Sequence, residues 1–228
     1  MRQLHPVSFR ERFVASGTYV WSHDGVATGD LEHWTLHEPG AGALSLRADY
    51  DGRAGSGVNW LFEGFYSHAS RRVERFDLSV FGEQHTEVKV LFSGAEVNIS
   101  LRVDGRPQPP RQRTLMPPAV SLPPALVAAY LFAGESVAAA PVFTVDIDVK
   151  AGLVRTERAT LLSIEHLGVE PVDVDGRPID ARRLRLLGQD GRDEQVWFDA
   201  FDVAVRWQNA AGRAAQLTRY VHRPETIS

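Results

Sequence analysis

The chain contains no cysteine. Disulfides, thiolate nucleophiles and Cys-ligated zinc or iron–sulfur centres are therefore excluded. Lysine is almost absent: only Lys89 and Lys150 occur, and arginine carries the remaining positive charge, a usage that points to a GC-rich bacterial genome. No apolar run approaches the roughly 18 residues of a bilayer-spanning helix, so no membrane span is expected. The opening stretch Met1-Arg2-Gln3-Leu4-His5-Pro6 lacks the apolar segment of a secretory signal. The expected location is the cytoplasm; the alternative is an exported form without its signal.

Charge of one sign is also missing. The chain has 25 basic and 29 acidic residues, a net charge of −4, so no general polyanion-binding surface is expected. Arg102, Arg106, Arg111 and Arg113 cluster, but Asp104 offsets them, and nucleic acid is not an expected partner. No Gly-x-Ser-x-Gly elbow, phosphate-binding Gly-rich loop or His-Glu-x-x-His pair occurs. Neither a metal nor a cofactor is expected from these motifs.

What the sequence does contain is alternation. Leu44, Leu46, Ala48 and Tyr50 alternate with Ser45, Arg47 and Asp49. Phe76, Leu78 and Val80 alternate with Arg75, Asp77 and Ser79. The same period of two runs through 86–92, 97–103, 143–149 and 203–208, and each run predicts a strand with one apolar and one wet face. Five Asp-Gly pairs, at 24–25, 51–52, 104–105, 175–176 and 190–191, are suited to tight hairpins. About a dozen antiparallel strands are expected, too many for a flat sheet. The expected architecture is mainly β: one domain over 1–228, built as a strongly curved antiparallel sheet, open β-barrel or β-roll.

One segment departs from this pattern. Seven prolines fall between Arg106 and Pro124, which predicts a crossover without a regular ladder. It leads into Pro123–Ala133, read as a short helix with Ser121 as a possible cap and Gly134 at its end. This segment is apolar nearly all round, so it is expected to lie buried across the concave face or to connect two layers.

Candidate site residues fall into two groups. His33 and His37 share one face of a predicted strand, with Glu32, Trp34 and Leu36 on the other. Histidines four residues apart on a strand are separated by about 13 Å, too far for one metal ion. Glu32, His33 and His37 are instead candidates for proton transfer. His23, His68 and His85 fall near turns and form no recognisable triad. The second group is aromatic. Trp34, Tyr50, Trp60, Phe62, Phe76 and Tyr130 are candidates to line a cavity, because small-molecule sites are mostly apolar.

Three stretches of the C-terminal half carry a resemblance: Gly152-Leu153-Val154-Arg155-Thr156-Glu157, Asp180-Ala181-Arg182-Arg183-Leu184-Arg185-Leu186 and Glu194-Gln195-Val196-Trp197-Phe198-Asp199. The strand Val203–Gln208 and the turn Ala211-Gly212 follow them. In this order they resemble an uncharacterised bacterial family with a lipoprotein-carrier-like open β-barrel. Ala204-Val205-Arg206 stands where that family has Pro-Val-Arg, and the exported relatives' signal peptide is absent. The resemblance implies a bent sheet with a helix across its concave face and binding of a hydrophobic ligand.

The expected function is therefore binding of a lipid or other hydrophobic small molecule inside the curved sheet. The alternative is a cofactor-free lyase, isomerase, cyclase or hydrolase acting in the same cavity. Oligomeric state is left open.

Overall fold

The computed structural model describes residues 1–40, 42–67, 72–114, 120–121, 127–132, 142–148, 153–160, 162–189 and 191–223. Fourteen of the described strands form one antiparallel sheet. The N-terminal half contributes β1 (Arg12–His23), β2 (Val26–Gly40), β3 (Ala43–Asp51), β4 (Asn59–Ser67), β5 (Arg72–Phe81), β6 (His85–Ser93), β7 (Glu96–Val103), β8 (Arg106–Pro107) and β9 (Arg111–Thr114). After a second sheet of β10 (Val120–Ser121), β11 (Val142–Asp148) and β12 (Leu153–Thr160), the chain returns to the first. It adds β13 (Leu162–Val174), β14 (Arg177–Gly188), β15 (Asp193–Phe198), β16 (Ala204–Asn209) and β17 (Arg213–His222).

Each half is a meander of neighbouring strands, and the two join where β17 pairs with β1. The first strand of the chain and the last thus lie side by side within the sheet. Gly17 belongs to this joint. A Cβ there would lie 2.7 Å from Leu217 Cδ1 and 2.8 Å from Trp34 Nε1, so the strand passes these side chains only because the position has none.

The hairpin turns follow their chemistry at three pairs. Asp24-Gly25, Asp104-Gly105 and Asp175-Gly176 have positive φ at both residues, as a type I′ turn requires. Asp51-Gly52 is different: it opens the longer loop to β4, in which Gly52 N–H donates to the Val58 carbonyl at 3.1 Å.

The expected curvature is present. β13 and β17 are four strands apart in the sheet order, a distance of about 19 Å if the sheet were flat. Yet Gln216 Nε2 donates to the Asp173 carbonyl at 2.8 Å, and Tyr220 N–H donates to Asp175 Oδ2 at 3.1 Å. The sheet therefore rolls until the β13–β14 hairpin tip reaches β17.

Two expectations need correction. The helix predicted over 123–133 is a 3-10 helix over Val127–Phe132; residues 123–126 and 133 lie outside the described residues. No helix of the described residues is long and apolar enough to cross a membrane. The proline-rich crossover also holds more ladder than expected. β8 and β9 both pair with β7. Pro107 is tolerated there because it sits on an edge strand, where a missing N–H breaks no inner ladder.

Replacing Gly17 with Ala should destabilise the protein by about 1–3 kcal/mol through overpacking. Thermal unfolding checks this; a loss of about 2–4 °C per kcal/mol is expected for a chain of this size.

Candidate functional site: an aromatic inner face closed by a carboxylate-held turn

Cross-strand register sorts the sheet into rows. On the inner face Glu32, Tyr50, Trp60 and Val80 pair in turn across β2–β5. The next row is Trp34, Ala48, Phe62, Leu78 and Val88. A third brings Phe76 beside Val90 and Ile99. All of these apolar side chains are buried. The five aromatic candidates from β2–β5 thus share one face, as strand alternation demands.

Their rings pack in clusters. Phe76 lies between Phe62 and Phe92, with centroids 6.0 and 6.3 Å away. Trp34 stacks on Tyr19 at 6.3 Å. Trp21 meets Tyr50 edge-on at 5.6 Å and Trp207 at 5.5 Å. The last pair crosses the β1–β17 joint, so the inner face is continuous between the two halves.

Over this face lies the 3-10 helix, against both β3 and β16. Six residues of 3-10 helix are only about 12 Å long, so the sheet must be concave for one turn to touch both strands. Val127, Ala128, Ala129 and Tyr130 are buried. The sixth aromatic candidate, Tyr130, thus enters from the cover rather than the wall, and its hydroxyl donates to Glu194 Oε2.

Glu32 anchors the cover. Its side chain is fully buried among the aromatic rows. Oε1 accepts the Ala128 N–H at 2.8 Å and Oε2 accepts the Val127 N–H at 3.1 Å. The first N–H groups of a helical turn have no partner within it, and the carboxylate supplies one from another strand. Burial pushes the Glu32 carboxyl up from 4.5 to about 7, against the opposing pull of the two N–H donors and the Arg213 guanidinium.

His33 and His37 point to the other side of β2 and do not meet Glu32. His33 Nδ1 is 2.9 Å from Thr18 Oγ1, and burial holds its pKa below the usual value. His37 is buried, edge-on to Phe13. Burial lowers its pKa, and the Arg47 guanidinium acts in the same direction. His85 stacks on Phe81 at 4.5 Å; His23 contacts Asp24 in the β1–β2 turn; His68 lies outside the described residues.

Sequence reasoning missed the polar half of the sheet. The outer face of β2–β5 was expected to be wet, but Arg47, Asp49, Glu63 and Asp77 are buried there. The N-terminal segment crosses them. Arg2 binds Asp49 through its backbone N–H at 2.6 Å and its guanidinium at 2.7 Å. Glu11 receives Arg47 at 2.6 and 3.1 Å. Alternation marked Arg47, Asp49 and Asp77 as outward, and nothing in the pattern told that a segment would cover them. Asp30 was also missed; it accepts the buried Tyr50 hydroxyl at 2.8 Å.

An open polar cleft of about 640 Å³ lies apart from the aromatic rows, between the β1–β2 and β16–β17 turns, and includes Asp24, Arg206 and Arg213.

No family model and no curated protein matches the chain. The crystal structure of MucB aligns with 92% of this chain and 53% of its own, at 11% identity and a TM-score of 0.30. The chain thus spans about half the length of that protein, and a likeness of this size carries no argument about function.

The titration of Glu32 has a measurable consequence. Its folded pKa lies above the unfolded value, so the folded state holds the proton more tightly. The associated stability is fully present below pH 4.5 and is lost as pH rises through about 7. The change is on the order of 3 kcal/mol. Glu32→Gln removes this titration, so the stability difference between wild type and variant should change by that order between pH 4.5 and 7.5. Urea unfolding across this range reads it.

Proposed function

We propose that the protein binds a lipid or other hydrophobic small molecule against the aromatic inner face of its curved sheet, beneath the 3-10 helix. The observation that carries this reading is the cover. A broad aromatic surface is closed by a single short turn, held at its start by two hydrogen bonds to Glu32. Trp34, Tyr50, Trp60, Phe62 and Phe76 form the wall, and Tyr130 belongs to the cover.

The energetics allow it. An alkyl chain of ten methylenes gains roughly 8 kcal/mol on burial, at about 0.8 per CH₂. Association costs of about 4 kcal/mol or more are subtracted. An apolar ligand therefore needs no charged anchor. To enter, it must displace the cover or the ring contacts, and the cover is the smaller element. The same reading takes the protein as bacterial and cytoplasmic, and it extends the resemblance of the C-terminal half to lipoprotein-carrier-like open barrels.

A second reading has one observation in its favour. A carboxyl titrating near 7 in an apolar site is suited to general acid–base chemistry. Glu32 would then move a proton on a hydrophobic substrate, without His33 and His37, which lie on the outer face.

Native mass spectrometry of the purified full chain, with fluorescent fatty-acid displacement, separates these readings from failure. The expected result is one apolar ligand per chain, with affinity reduced at least tenfold in Phe62→Ala. Conversion of the bound molecule that stops in Glu32→Gln favours the enzyme. Absence of binding across chain lengths from about eight to eighteen carbons, with the fold intact, overturns both.

A further inference from the structure

The outer face holds an arrangement that the inner-face function does not use. One row across the sheet reads Thr35, Arg47, Glu63, Asp77, Lys89 and Ser100. Glu63 and Asp77 are direct cross-strand partners on β4 and β5, and their side chains are 2% and 7% exposed. Like charges facing each other in this way destabilise a sheet unless something lies between them.

The flanking cations answer only part of this charge. Arg47 takes Glu63 Oε1 at 2.8 Å and Glu11 at 2.6 and 3.1 Å, and its Nε has no partner. Arg75 stands 3.4 Å from Asp77 Oδ2, with its guanidinium over the Phe65 ring. Lys89 Nζ is 4.0 Å from Asp77 Oδ1, and its side chain is largely exposed. Asp77 Oδ1 is buried and accepts no hydrogen bond. A buried carboxylate oxygen without a donor is costly, and a cation close to the Asp77 carboxylate would offset that cost.

His5 completes the group. The N-terminal segment brings its Nδ1 against Glu63 Oε2. One ligand atom each from His5, Glu63 and Asp77 lies within 4.8 Å of the others. An imidazole and two carboxylates form a donor set for a divalent transition cation. Such an ion holds its ligands at about 2.0–2.2 Å, hence about 3.3 Å apart in tetrahedral geometry. The His5 side chain is half exposed, so the segment carrying it can adjust its share of a gap of up to about 1.5 Å, the rest falling to the carboxylate rotamers, and leave the fourth position to water.

We propose that His5, Glu63 and Asp77 form a divalent-cation site of the Zn²⁺ type, which fastens the N-terminal segment across the outer face. In this site the ion replaces the direct His5–Glu63 contact and gives the buried Asp77 carboxylate a cationic partner. Lys89 swings into solvent. The proposal stands apart from hydrophobic-ligand binding and survives its failure.

The test uses the full chain, stripped with a chelator, and Zn²⁺ alone as the probe. Isothermal titration at pH 7.5 should give one ion per chain, with a rise in the unfolding midpoint on binding. His5→Ala removes a direct ligand from an exposed segment without touching the core. Altering even an outer partner of a metal ligand costs 10–100-fold, so His5→Ala should weaken binding by at least about 100-fold. Asp77→Asn should do the same, and His23→Ala, in the β1–β2 turn, should leave binding unchanged. No titratable binding to the wild type overturns the site. So does binding that His5→Ala leaves intact, which would place the ion on other residues.

Discussion

The pairing of β1 with β17 is the contact on which the architecture depends. Without it the sheet order breaks between the two halves, leaving β2–β8 attached to β1 on one side and β13–β16 attached to β17 on the other. Each fragment would expose the edge of a strand and half of an aromatic face. The joint is held by more than its ladder. Thr218 Oγ1 donates to the Thr18 carbonyl at 3.0 Å, and Tyr19 reaches past β17 to donate to the Ala204 carbonyl at 2.7 Å. These contacts link residues about 200 positions apart in sequence, so they form only after much loop entropy has been lost.

Once the halves are joined, each face needs a cover. The two faces solve this with opposite chemistry. Inside, the 3-10 helix buries aromatic surface and is held through one carboxylate. Outside, the N-terminal segment buries charges and is held by ion pairs at Arg2 and Glu11 and by the contact of His5 with Glu63. Burial of the outer charges brings little net stability of its own, because desolvation offsets much of the attraction. What it provides is register: Arg47 can satisfy Glu11 and Glu63 together only when the segment lies along one path.

Alternation made the strands legible because its period is local. Leu46, Ala48 and Tyr50 face inward in the sequence pattern and in the structure alike. The turns at Asp24-Gly25, Asp104-Gly105 and Asp175-Gly176 were legible for the same reason, since backbone preference acts within two residues, whereas Asp51-Gly52 opened a longer loop. Glu32 shows where this ends. Its position on the apolar side of β2 was readable, but its partner lies 95 positions away, and no local pattern encodes that distance. The proposed cover was misjudged in type. Prolines and alanines around 123–133 fit an α-helix, whereas the described stretch is a 3-10 helix of two turns whose form follows the space over β3 and β16. Arg47, Asp49 and Asp77 were read as a solvated face because sequence period reports direction and not what lies above.

Glu32 links the cover to the proton. With the cover closed, its carboxyl titrates near 7. Unfolding hydrates the side chain and returns it to 4.5, so between these values unfolding releases a proton and folding takes one up. Acid therefore favours the folded arrangement around Glu32, and the bias approaches the full shift as pH falls below 4.5. At neutral pH the group is close to its midpoint, where a small change in its surroundings alters charge most. A ligand that excludes more water from Glu32 raises its pKa further and protonates it; one that brings a hydrogen-bond donor or a positive charge lowers it. Under the proposed binding, ligand affinity and protonation of Glu32 would be linked, because a ligand that alters the affinity of Glu32 for a proton has its own affinity altered by the same factor.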